Sequence, residues 1–159
     1  MQLGVTAEKL EKEGVRTLGV VASSPDRARL FFRYRPPRIP VGADPDFATH
    51  RAYGLPNSAV TPEIWQAVQS AAVDLLRELK QPEVPSSEAY DRLGQLDGFQ
   101  VTEQDLAQQE RNQAQLTGQF LIDREGIVRW ASVEGGRDGL AGLGQMPSDE
   151  ELLAAARAL

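Results

Sequence analysis

The sequence predicts an α/β fold, and three stretches carry that reading. Gln119 to Val133 has the pattern of a β-hairpin. Val15 to Ala22 is an apolar, β-branched strand set between two helix signals. Ser148 to Glu151 has the form of a capping box and opens a closing helix.

In chain order, Leu3, Ala7, Leu10 and Gly14 are spaced for a short amphipathic helix that stops at Gly14. Val15–Ala22 follows and is apolar on both faces, as in a parallel strand covered by helices on two sides. Ser24-Pro25 places a capping residue and a first-turn proline at a helix start, and Pro36-Pro37 ends that helix. Arg27, Arg29, Arg33, Arg35 and Arg38 cluster locally in an acidic chain and read as a solvated face. Residues 38–43 are a short strand. Asp44, with Pro45 at the first helical position, is expected to cap a helix through Tyr53 that Gly54 closes. His50 lies in that helix and is expected at the surface.

Thr61-Pro62 starts a long helix to about Lys80. Its stripe of Ile64, Trp65, Val68, Ala71, Ala72, Leu75, Leu76 and Leu79 recurs at three- and four-residue steps. Residues 81–87 read as a rigid, polar linker, Glu88–Leu96 as a short helix, and Thr102-Glu103-Gln104-Asp105 as a capping box before a Gln-rich segment. In the hairpin, Phe120-Leu121-Ile122 is expected to be covered on both faces. Asp123-Arg124-Glu125-Gly126 supplies turn chemistry, and Ile127 to Trp130 is a half-buried return strand. Glu134–Met146 is a glycine-rich connection. It has no Gly-x-Gly-x-x-Gly after a strand and so reads as a loop, not a phosphate cradle.

Phe-Leu-Ile-Asp-Arg-Glu-Gly-Ile-Val-Arg, residues 120–129, resembles the late hairpin of the redoxin family, the peroxiredoxin-like AhpC/TSA branch of the thioredoxin-like fold. Three more pieces resemble it in order: Leu10–Ala22 as a helix-Gly-strand unit, Val41–Asp46 with Arg51–Leu55 as Asp-Pro and Tyr-Gly elements, and Ser148–Leu159 as the closing helix. The resemblance covers roughly half to two-thirds of the chain and leaves out 57–116. It implies a single redoxin-like domain over 1–159, an α/β thioredoxin-like (peroxiredoxin-like) mixed sheet flanked by helices, N-terminally incomplete, with a helical insertion at about 57–116. The family's first strand, redox loop and helix-borne cysteine have no counterpart before Met1, so the resemblance implies a truncated family member, the favoured reading, or a naturally reduced, non-redox relative. Its sheet would lack a central strand. Residues 15–22 and 119–123 are then expected to close up and pair directly, with homodimerisation through unpaired sheet edges as the next remedy.

The family activity is thiol-dependent reduction of peroxides or disulfides, with a thioredoxin-type reductant as partner of a full-length form. It rests on a cysteine thiolate stabilised at a helix N-terminus. This chain has no cysteine, so it is expected to be inactive in that chemistry. The arginine that often precedes the late strand in peroxiredoxins is replaced by Leu116-Thr117, and no catalytic residue carries over. Thr117, Gly118 and Gln119 mark only the backbone location of a family site. A non-catalytic, thioredoxin-like interaction module, binding through the 62–80 helix or the arginine cluster, is the alternative. A net charge of −6 disfavours nucleic acid and anionic membranes. No apolar run reaches the length of a membrane span, and the N-terminus lacks the basic and apolar regions of a signal peptide, so a cytoplasmic location is expected. One histidine and no cysteine leave no basis for a His- or Cys-rich metal site, and no cofactor is expected.

Overall fold

The computed structural model describes residues 2–34, 36–96 and 101–159. In chain order these form α1 (Gln2–Lys12), β1 (Gly19–Val21), α2 (Pro25–Tyr34), β2 (Val41–Ala43), α3 (Ala48–Ala52), β3 (Asn57–Ser58) and α4 (Pro62–Glu78). Then come α5 (Ser86–Leu96), α6 (Glu103–Asn112), β4 (Ala114–Gln115), β5 (Gly118–Ile122), β6 (Val128–Val133), a 3-10 turn (Gly139–Gly142) and α7 (Asp149–Arg157). The class is mixed α/β, with three two-stranded sheets among the described residues: β1 with β2, β3 with β4, and β5 with β6. The chain divides into two compact units.

The first unit comprises Met1–Leu55, Gly118–Ser132 and Met146–Leu159. Its helices start and stop where the local chemistry dictates. Gly14, at φ 81°, ends α1, and the Val15 and Gly14 amides donate back to the carbonyls of Leu10 and Glu11, each at 3.0 Å. The Ser148 hydroxyl accepts from the Glu151 amide at the start of α7. Leu10 of α1, Leu121 of β5 and Ala156 of α7 are buried together, with Val15, Trp130, Leu153 and Ala155 around them. Burying a leucine of this kind contributes about 1.5–3 kcal/mol. Polar contacts flank that seam. Lys9 and Asp149 pair, the buried Thr6 hydroxyl donates to Asp149 Oδ1 at 2.5 Å, and Arg157 meets Glu13 at 2.6 Å.

The hairpin forms as its turn residues require. Gly126 has φ 83°, and the Asp123 carboxylate accepts from the amides of Glu125 and Ile127, each at 2.9 Å, and from Arg129 Nε at 2.6 Å. Coverage of Phe120–Ile122 is one-sided, however. Leu121 is buried, whereas Ile122 is 43% exposed. The same holds for the first strand. Only Gly19–Val21 is extended within a sheet, and Leu18 is 66% exposed. A two-stranded sheet is too narrow for helices to close over both faces.

The expected direct pairing of residues 15–22 with 119–123 does not occur. β1 runs parallel to β2, with Gly19 opposite Val41 and Val21 opposite Ala43, and β5 pairs only with β6. The chain's own turns take up the backbone groups at the end of β1. The Val21 carbonyl accepts from Ser23 and Asp44 amides, and the Gly19 amide donates to the Pro40 carbonyl.

The helix expected from Asp44 starts four residues later. Phe47, buried and at φ 57°, precedes it in a left-handed conformation. Asp44 caps from a distance: its carboxylate accepts from Ala48 at 3.0 Å and Thr49 at 2.7 Å, which leaves Pro45-Asp46 as a turn.

The second unit comprises Pro56–Thr117 and Val133–Gln145. Thr61 caps α4 by accepting from the Ile64 amide. α4 and α5 pack along Ala72, Leu76 and Ala89, with Val73, Val84, Leu93 and Leu96 at the edge. Ala72 and Ala89 are small, which lets the helices approach closely. The 81–87 segment is more than a polar linker, because Val84 seats in this core. α6 carries a complete capping box, Thr102 with Asp105, and has no buried residue. Asn57 and Ser58 pair antiparallel with Gln115 and Ala114. Trp65 sits at the rim, 37% exposed, against the Tyr90 ring at 5.4 Å.

Leu76→Ala should cost about 2–5 kcal/mol, and Trp65→Ala less, since its aromatic pair contributes about 0.5–1.5 kcal/mol. Denaturant melts check the order; a larger loss for Trp65→Ala would contradict the placement of this core.

Acid should also loosen the first unit. Hydrogen bonds hold the carboxyls of Asp149 (from Lys9, then Thr6), Glu13 (from Arg157) and Asp123 (from the Ile127 amide, then Arg129) below their ordinary values. The folded state therefore binds fewer protons than the unfolded chain. The resulting stability is complete above the ordinary carboxylate range and is lost as pH falls through it, from about pH 5 downward. Thermal melts from pH 7 to 3 should show a plateau followed by a fall; a rise in melting temperature below pH 5 would contradict these contacts.

Candidate functional site

The stretch Thr117-Gly118-Gln119, the location the resemblance marks for a family site, follows β4, which ends at Gln115, and runs into β5, which starts at Gly118; Thr117 belongs to the second unit, Gly118 and Gln119 to the first. Thr117 lies two residues after β4 in the second unit. Its carbonyl accepts from the Glu134 amide at 2.9 Å, and its own amide donates to Glu134 Oε2 at 2.9 Å. Gly118 opens β5 in the first unit. A Cβ there would lie 2.4 Å from Leu55 Cδ2 and 2.7 Å from Phe120 Cε2, so any side chain at this position would make those two side chains shift. Phe120 tilts against Tyr53, with ring centroids 4.7 Å apart. Gln119 Nε2 donates to Met146 Sδ at 3.3 Å.

Chemically the stretch offers a threonine hydroxyl and an amide, with no thiol and no imidazole. His50 sits elsewhere in the unit, and it is not the surface residue expected. Its ring stands edge-on to Phe47 at 5.6 Å, and its Nε2 is buried with no hydrogen-bond partner. On the chain before it, burial pulls the Asp44 carboxyl upward. The amides of Thr49 and Ala48 outweigh that and hold it below its ordinary value. This carboxylate therefore acts as an anionic helix cap, and the Thr49 hydroxyl donates to it as well.

The arginine cluster is not a bare cationic patch. Arg29 pairs with Asp26 and Arg38 with Glu8, each at 2.9 Å, and Arg35 lies outside the described residues. In the second unit, Val73, Leu76, Arg77, Gln81, Pro82, Glu83 and Val84 line an open groove of about 360 Å³. It is of ligand size, but Arg77 and Glu83 are the only charged groups on its walls. Among the described residues, no three His, Cys, Asp or Glu side chains gather as metal ligands, and no helix is long and apolar enough to cross a membrane.

Glu134 is the residue that sequence reasoning missed. An acidic residue followed by Gly135-Gly136 at a strand end was the signal available. Which amides it would reach depends on the path of the loop.

Comparison with protein families, with curated proteins and with solved structures finds no match.

Gly118→Ala should destabilise the protein by about 1–3 kcal/mol through overpacking of Leu55 and Phe120. An unchanged denaturation midpoint would mean that the Tyr53–Phe120 contact does not close over this backbone.

Proposed function

We propose that this chain is a redoxin-type, thioredoxin-like protein of the AhpC/TSA branch that does not itself carry out thiol peroxidase chemistry. The observation that carries the reading is the order of elements in the first unit. A parallel β-α-β segment, β1-α2-β2, is followed later in the chain by a hairpin and a closing helix, β5-β6-α7. That is the order the residue resemblance implies, and the 56–117 segment of the second unit matches the stretch left outside it.

Catalysis by the family route needs a thiolate that attacks peroxide, forms a sulfenic acid and is restored by a reductant. With no cysteine, the first bond cannot form on this chain. Its part in redox homeostasis would have to come from binding.

A second reading, a non-catalytic thioredoxin-like interaction module, draws on α4 and its C-cap, where Trp65, Leu75 and Leu79 are each more than a third exposed. Both readings leave strand edges available, and pairing of two copies along them is the homodimer the first reading expects.

An NADPH-coupled peroxide assay with a thioredoxin system should give turnover no higher than the no-protein blank. Turnover above it would overturn the non-catalytic assignment. Light scattering after gel filtration tests the edges: a dimer that reverts to monomer on Val20→Lys or Ile122→Lys supports edge pairing, and a dimer unaffected by both rejects it.

A further inference from the structure

We propose that Glu134 is the clasp of a glycine-hinged strap, residues 135–144, that closes on α4 at Ala71 and opens when the clasp lets go. One carboxylate ties the far end of the loop to the segment that follows β4. Its Oε1 accepts from the Gly144 amide at 2.6 Å, and its Oε2 accepts from the Thr117 amide at 2.9 Å. The Glu134 amide donates to the Thr117 carbonyl, which fixes the near end of the loop to the end of the β4 segment. Charged acceptors make the stronger kind of hydrogen bond, and both of these act on backbone that no sheet or helix otherwise secures.

The strap has its own internal order. The Gly136 amide donates to the Val133 carbonyl, Gly139 to Gly135, and Gln145 to Gly142, at 2.9, 3.0 and 3.2 Å. These turns hold the strap together as it moves. Gly135, Gly139 and Gly144 all have positive φ (70°, 55° and 76°), which places compliant residues at both ends and the middle. Gly144 also lies close on the helix: a Cβ there would be 3.3 Å from Ala71 Cβ. Opening at Gly144 therefore uncovers Ala71, while the Thr117 bond can persist as the hinge.

Trypsin reads the strap directly, because Arg137 lies within it and Arg77 of α4 serves as an internal control for global unfolding. In the full chain, Glu134→Ala should raise the rate of cleavage after Arg137 at least fivefold with cleavage after Arg77 unchanged, as expected when local opening alone is released. Glu134→Gln keeps one acceptor oxygen and should fall between. A rise below fivefold in Glu134→Ala, or one that occurs only together with cleavage after Arg77, overturns the proposal. The unaltered protein gives a second reading that needs no variant. The Gly144 amide should exchange with solvent at a rate below that of the same glycine in an unfolded peptide by about tenfold or more. Exchange at the unfolded rate overturns the clasp.

Discussion

The first unit depends on one seam, where Leu10 of α1 and Ala156 of α7 meet Leu121 of the hairpin. These residues lie far apart in sequence, so ordering them costs considerable chain entropy. The apolar contact offsets that cost, and the polar groups along its border do not compete with it. Thr6 and Lys9 on α1 both reach Asp149, and Glu13 reaches Arg157. Exposed ion pairs contribute little each. One pair joins the two helices and the other lies just past the end of α1, so together they fix which faces meet, while the leucines supply most of the energy.

Much of this was legible in the sequence because it is local. Ser148, Thr61, Thr102 and Ser24 announce helix starts through their own side chains, Gly14 announces an end, and Asp123 with Gly126 announces the turn. Three failures have a common cause. Asp44 was read as a cap adjacent to its helix, but a carboxylate can reach amides four and five residues on when the chain turns between them. Val15–Ala22 and Phe120–Ile122 read as strands covered on both faces because apolar residues fall on both of their sides. Composition records what a residue would prefer to bury, and the number of strands in the sheet decides what can be buried. Val84 was placed in a linker because its neighbours are polar and proline-rich, yet a single apolar side chain there closes the α4–α5 core.

The candidate site was legible only as a place. The tightest contact at Gly118 is one that no local pattern contains, since it arises from Leu55, more than 60 residues earlier. Glu134 acts through backbone amides, and backbone amides are the same in every sequence. The absence of cysteine, by contrast, is complete in the sequence itself and bounds the chemistry more firmly than any distance does.

The α6 helix has a further consequence. Its start is fixed by the reciprocal bonds of Thr102 and Asp105, and none of its residues is buried. Shape there is set by two cap positions, and most of the other side chains are exposed. A segment built this way can exchange most of its residues without disturbing the fold. Over evolutionary time it is where this chain can acquire new surface properties at least structural risk, provided the two cap residues are kept.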